Sequence, residues 1–195
     1  MSKKLIALLI GLIISITLIG QNQRYRYWAY GLGAGINYST IDKDGVYFFE
    51  SGTKFKPDVW VSSDFGLTQR IGISTGLGFS NIGYGDYLDI YCLTMPVLGQ
   101  LKTGKVFWLE MGPEFILPFY NEHSDGFEKP YENEPGIGAI FQFRLNAFEG
   151  FSFQFAYKAG LAPIIKRGGT FFRDTGVLIG VRYLWNQPNK RSYWR

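Results

Sequence analysis

The sequence predicts an all-β protein, an eight-stranded antiparallel up-and-down transmembrane β-barrel with short periplasmic turns and longer extracellular loops. Three observations predict it. Large apolar side chains alternate with glycine, serine or charge along most of the stretch from Gly31 to Ile179, the two-residue period of a strand with unlike faces. The 195 residues contain 25 glycines and 18% aromatics but only 18% charged residues, lean in charge and rich in the rings that membrane interfaces favour. Beyond the N-terminal segment, no apolar run is long enough for a helix to cross a bilayer, so a membrane-embedded chain must cross as strands.

Read by parity, the first strand is Trp28–Ser39, with Trp28, Tyr30, Leu32, Ala34, Ile36 and Tyr38 against Gly31, Gly33, Gly35, Asn37 and Ser39. The second, Asp58–Leu67, sets Val59, Val61, Phe65 and Leu67 against Ser62, Asp64 and Gly66, and the third, Ile71–Asn81, sets Ile71, Ile73, Leu77 and Phe79 against glycines and serines. The fourth, Leu88–Leu101, is apolar on both parities around Leu93 to Leu98, so periodicity does not fix its facing. The fifth, Val106–Phe119, opposes Phe107, Leu109, Met111, Phe115 and Leu117 to Glu110, Gly112 and Glu114. Then come Ile137–Ala147, with Phe141 and Phe143 against Gln142 and Arg144, and Phe151–Leu161, with Phe153 and Phe155 against Gln154 and Lys158. The last is Phe172–Trp185, with Val177, Ile179, Val181, Tyr183 and Trp185 against Gly176, Gly180 and Arg182. Eight is the smallest strand number usual for such barrels.

Residues 1–20 read as a signal peptide: Lys3 and Lys4 precede an unbroken apolar run from Leu5 to Ile19, and Gly20-Gln21 is a plausible cleavage point. Removing the two lysines takes the formal charge from +4 to 4 − 2 = +2, too small a bias to argue for nucleic acid. The single cysteine, Cys92, excludes an intramolecular disulfide and fits a buried filler better than a reactive thiol. Residues 21–185 are the expected barrel domain, and 186–195 a basic tail.

The connections alternate in length, which orients the barrel. Thr68–Arg70, Lys102–Lys105 and Phe148–Gly150 are tight, whereas Thr40–Pro57, Ile82–Tyr87, Tyr120–Gly136 and Ile165–Phe171 are longer. Short turns are periplasmic in bacterial outer-membrane barrels, so both mature termini are expected there, with the tail in the periplasm. The long loop Tyr120–Gly136 is acidic, with Glu122, Asp125, Glu128, Glu132 and Glu134.

Alternation alone does not separate a membrane barrel from a soluble lipocalin-like carrier; volume does. An eight-stranded barrel has an interior just wide enough for ordinary side chains, and the Phe-, Tyr- and Leu-rich set would overfill it. The glycine- and serine-rich set would leave bare sheet in water without the charges that keep soluble surfaces dispersed. Aromatics fall at two levels: Trp28, Tyr30, Phe107, Phe151, Tyr183 and Trp185 near the short-turn rim, and Tyr38, Phe79, Tyr84, Tyr87, Phe119 and Tyr120 near the long-loop rim. The apolar set is therefore expected to face lipid.

The other face then carries Asp64, Glu110, Glu114, Arg144, Lys158 and Arg182, three acidic and three basic residues. Charges in a low-dielectric interior need partners, so these are expected to form a paired network that fills and closes the lumen. His123, Ser124 and Asp125 are residue types used by an outer-membrane acyltransferase of this barrel size, but His-Ser-Asp-Gly is equally an ordinary turn. Gly33, Gly35, Gly76 and Gly78 alternate within strands with no helix following, so they read as small lumen residues and not as a phosphate loop. Pro96 and Pro113 lie inside neighbouring strands, where each removes a ladder donor; a bulge or local break is expected there.

The segment Asp89-Ile90-Tyr91-Cys92-Leu93-Thr94-Met95-Pro96-Val97-Leu98 resembles the Tyr-x-x-x-Ile-Pro-Leu-Leu strand of the PorT-like outer-membrane β-barrel proteins of Bacteroidota, Pro96 matching the family's strand proline. The resemblance implies an OmpX-like eight-stranded barrel, inserted by the outer-membrane assembly machinery. The chain departs from that pattern by continuing past Trp185 to Arg195. The expected protein is a monomer in outer-membrane lipid, not an enzyme and without cofactor or metal. Its role is structural or surface-binding, through the loops Thr40–Pro57 and Tyr120–Gly136. A lipid-modifying enzyme on the same scaffold and a soluble carrier are the alternatives.

Overall fold

The computed structural model describes residues 27–43, 54–84, 88–104, 106–123, 132–148, 150–167 and 170–186. The expected signal peptide, most of the C-terminal tail, Ser124 and Asp125 lie outside them, as does the side chain of His123. The strands are β1 (Tyr27–Lys43), β2 (Lys54–Gly66), β3 (Ile71–Tyr84), β4 (Leu88–Lys102), β5 (Phe107–His123), β6 (Glu132–Asn133), β7 (Gly136–Asn146), β8 (Phe151–Gly160), β9 (Ile165–Arg167) and β10 (Thr170–Trp185).

Eight of them run β1-β2-β3-β4-β5-β7-β8-β10, every neighbour antiparallel, and β10 pairs back onto β1 from Tyr30↔Trp185 to Lys43↔Phe172. The sheet is thus a closed barrel without an open edge along this ladder. β6 and β9 form a small ribbon on the long-loop side, joined to β10 through Ile165↔Phe172 and to each other through Glu132↔Lys166.

The faces fall as the alternation requires. Ile179, Phe153 and Phe141 are 62%, 52% and 38% exposed on the outside, while Gly31, Gly72 and Gly180 are buried within. Outward rings meet at both rims: Trp28 stacks on Phe65 at 5.6 Å and Phe151 meets Tyr183 at 4.8 Å near the short turns, while Tyr38–Phe55 and Phe79–Phe119 lie 5.2 and 5.9 Å apart near the long loops. The fourth strand acquires a facing from its neighbours: Leu93, Met95, Val97 and Leu101 point out, and Cys92, Thr94, Leu98 and Gln100 point in.

Strands extend further toward the long loops than hydrophobic parity marks, β1 to Lys43, β2 back to Lys54, β3 to Tyr84 and β5 to His123. Ladder hydrogen bonds do not need apolar side chains, so pairing continues above the greasy band.

The proline expectation resolves into a break and a separate bulge. β3–β4 pairs run to Thr75↔Val97 and resume at Gly78↔Thr94, and β4–β5 pairs run to Pro96↔Glu114 and resume at Gly99↔Met111, in both cases without a change of register. Pro96 has no N–H to donate, and the Thr75 hydroxyl instead donates to its carbonyl at 3.1 Å. The register shift lies higher, where Tyr91↔Tyr120 gives way to Cys92↔Pro118, so that Phe119 is the extra residue and both Phe119 and Tyr120 face outward.

Candidate functional site in the barrel lumen

All six charges predicted for the small-residue face are inside and buried, but they fall into two groups. β2 descends toward the tight turn at Thr68, β7 descends to the one at Phe148, β5 rises from the one at Lys102, and β10 descends to Trp185. Asp64, Arg144, Glu110 and Arg182 therefore share the level near the short turns, whereas Glu114 and Lys158 lie nearer the long loops.

In the inner tier the Arg144 Nη1 donates to Asp64 Oδ2 at 2.7 Å and its Nη2 lies 3.0 Å from Glu110 Oε1. Arg182 reaches the same two carboxylates, at 3.3 Å from Asp64 and 3.5 Å from Glu110, and its Nη1 donates to the Ser74 hydroxyl at 3.2 Å. Ser74 in turn donates to Asp64 Oδ1 at 2.7 Å, and Gln100 and Gln142 donate to the two oxygens of Glu110. Two acids thus face two guanidiniums, with amide and hydroxyl donors taking up the remaining lone pairs. Trp108, one inward position closer to the short turn than Glu110, lies under the Arg144 guanidinium at 4.8 Å from the ring centroid, a cation–π contact at the inner end of the lumen.

Above this tier the lumen is apolar. Leu98, Ile140, Ala156 and Leu178 pack together from four strands, and Trp60 packs against them. The indole needs the glycines around it: a Cβ on Gly33 would fall on the ring, and one on Gly180 would lie 2.7 Å from its Cη2. The alternating glycines thus make room for one large inward ring.

The outer tier holds Lys158, whose Nζ donates to Asp58 Oδ2 at 3.2 Å and lies 3.5 Å from Glu114. Ser80 donates to the other Asp58 oxygen at 2.5 Å, and Lys56 pairs with Asp89. Asp174 is buried at the same end.

Sequence reasoning missed Asp58, Lys56, Asp89 and Asp174, and the inward Trp60, Trp108 and Leu178. Parity held the signal for most of them: Lys56, Asp58 and Trp60 share it with Asp64, Trp108 shares it with Glu110, and Asp174 and Leu178 share it with Arg182. Asp89 carried none, because along β4 it shares its parity with the outward Leu93 and Met95.

Between the tiers remains a cavity of about 60 Å³, bordered by Asp58, Trp60, Leu98, Glu114, Lys158 and Arg182 among others. That volume suits a few waters rather than a continuous aqueous bore. Among the described residues no cluster of His, Cys, Asp and Glu is arranged to hold a metal ion. Cys92 is fully buried, as a filler would be.

The closed eight-strand barrel is similar to the crystal structure of Neisserial surface protein A (NspA), with a TM-score of 0.57 and 12% identity over 80% of this chain and 97% of that one. The chain has the fold of a small outer-membrane β-barrel. It is also similar to Ail, the attachment invasion locus protein of Yersinia pestis, with a TM-score of 0.50 and 10% identity over 80% of this chain and 98% of that one. No family model matches the chain, and no curated protein matches it in sequence.

Proposed function

We propose that the chain is an exported, non-enzymatic outer-membrane protein of the PorT-like kind, a monomer whose closed barrel anchors recognition loops at the cell surface. The observation that carries this reading is the stacking of an ionic tier, an apolar layer and a second ionic tier inside a barrel whose outer face is apolar. Such a barrel is solvated by lipid and conducts nothing of size, which leaves its rim as the part able to meet a partner. Residues 1–20 serve export, outer-membrane assembly machinery inserts the strands, and 186–195 stay periplasmic. Recognition falls to the segments between β1 and β2 and between β5 and β7, where the acidic loop ends on the ribbon that sets Glu132 opposite Lys166. The names of NspA and Ail, a surface protein and an attachment and invasion protein, support a surface role over transport. The segment from Asp89 to Leu98, with its strand proline Pro96, supports the PorT-like assignment.

Envelope fractionation with heat-modifiable gel migration, followed by planar-bilayer recording, tests the reading. The expected result is a carbonate-resistant outer-membrane band that shifts on boiling and gives no steady conductance. A soluble periplasmic band, or stable porin-like currents, overturns it. Release of labelled fatty acid from phospholipid by the purified protein overturns the non-enzymatic part alone.

A further inference from the structure

Charge is divided unevenly between the two ends of the barrel. Tyr27 pairs with Gly66 and Trp185 with Tyr30, so the first strand begins and the last strand ends at the level of the tight turns. Counted along the sequence, the three tight turns together with residues 21–26 and 186–195 carry eight lysines and arginines against one acid, Glu149, and 8 − 1 gives +7. The four longer connections carry six against nine, and 6 − 9 gives −3.

Two of the eight cations show where this charge begins. Arg70, exposed, closes the turn between β2 and β3, and Lys102 ends β4. The Lys102 amide donates to the Arg70 carbonyl at 2.7 Å, so the two turns stand side by side on the rim. Lys102 holds its ammonium 5.6 Å from the centroid of the Trp108 ring, at the mouth of the lumen. Each cation directly adjoins an outward apolar residue: Ile71 and Leu101 lie opposite each other in the ladder, 36% and 47% exposed. The charge therefore starts one strand residue, about 3.3 Å, beyond the apolar face. Rings of the kind that mark a membrane interface lie at the same end, with Tyr30 5.9 Å from Trp185.

We infer that the short-turn rim is a cationic collar that gathers anionic phospholipid of the phosphatidylglycerol kind around the barrel. The inference rests on the outer-membrane reading above, which sets this rim in the periplasmic leaflet. Phospholipid phosphates at the interface lie within about 8 Å of such cations, the range over which charge acts at physiological salt. Long basic side chains lay their stems along apolar surface and place their charge among headgroups. A lipid is favoured over an anionic polymer beyond the bilayer because turns as short as Thr68–Arg70 and Lys102–Lys105 keep their cations against the apolar band.

The test uses the full mature chain refolded into phosphatidylcholine vesicles containing trace spin-labelled lipid. Electron paramagnetic resonance reads the fraction of labelled phosphatidylglycerol or phosphatidylcholine immobilised at the barrel. Phosphatidylglycerol is expected to associate about fivefold more strongly, the ratio that one basic side chain near the surface supplies, and the preference is expected to fade as salt is raised. Arg70→Gln with Lys105→Gln is expected to lower it, and Arg24→Gln with Arg26→Gln, outside the strands, is expected to do the same should the turn variant not fold. Lys43→Gln with Lys54→Gln, at the long-loop end, is expected to leave it unchanged. Equal association of the two lipids by a protein that still gives the heat-modifiable band overturns the collar and leaves the barrel reading standing. A preference lost only in the long-loop variant overturns it too, as does retention on peptidoglycan sacculi without any lipid preference. Absence of the heat-modifiable band in every vesicle overturns the barrel reading and the collar with it.

Discussion

Arg144 and Asp64 meet across the barrel: the guanidinium from β7 donates to a carboxylate on β2 at 2.7 Å, although the two strands stand four places apart in a ring of eight. The pair is a strut across the lumen. Both residues are essentially without solvent contact, so neither charge is hydrated if its partner is lost.

Arg144→Met is therefore expected to cost about 3–5 kcal/mol, the penalty for leaving a buried charge uncompensated, because Arg182 alone would face Asp64 and Glu110. The triple variant Arg144→Met, Asp64→Asn, Arg182→Met, which leaves only Glu110 charged in that tier, is expected to recover little. Adding Glu110→Gln, so that every charge of the tier is gone, is expected to recover most of the loss. Urea unfolding in detergent, followed by tryptophan fluorescence, reads the series. A single variant as stable as the parent would mean that water reaches the tier.

The outward face gives a second expectation. Phe155 pairs with Phe143 on one side and Ile179 on the other, at the middle of β8 and 49% exposed. With lipid outside, Phe155→Arg is expected to destabilise by about 2–4 kcal/mol, as charge does near the bilayer midplane. The same change on a water-bathed surface would be close to neutral. Refolding yield and unfolding free energy in phospholipid vesicles distinguish the two, and a neutral outcome would place water on that face.

The alternation made the fold readable because one physical constraint, a cramped interior enclosed by an apolar outer face, acts on every residue of each strand. Phe153 against Gln154, or Val181 against Arg182, needs no knowledge of the partner strand. The division of the lumen into tiers was not readable, because it depends on register. Asp64 and Glu110 share a level only because β2, β3, β4 and β5 are staggered as they are, and Ser62 and Gly112 obey the same parity without joining either tier. Leu178 and Ile140 also hid among small residues: an inward apolar side chain looks like an exception to the pattern until Trp60 is seen packed against it. Aromatic inward positions were the hardest, since Trp60 and Trp108 run against the outward facing of the other large rings. Their space comes from glycines on other strands, as Gly33 and Gly180 show.

The tight turn between β7 and β8 supplies a local test. Gly150 has φ of +78°, a left-handed conformation that residues with a Cβ adopt only at a cost of about 1–2 kcal/mol. Space is also lacking, for a Cβ there would lie 2.8 Å from the Leu184 carbonyl and 2.7 Å from the Tyr183 ring. The glycine carbonyl meanwhile accepts the Leu184 amide at 2.8 Å, tying this turn to the final strand. Gly150→Ala is therefore expected to lose more than the conformational cost alone and to slow closure of β8 onto β10. Asn would keep the left-handed conformation more cheaply but would meet the same carbonyl. Time-resolved appearance of the heat-resistant band during refolding should show both variants delayed, Gly150→Ala the more so. Equal rates for parent and variants would mean that β8 and β10 dock before this turn takes its final form.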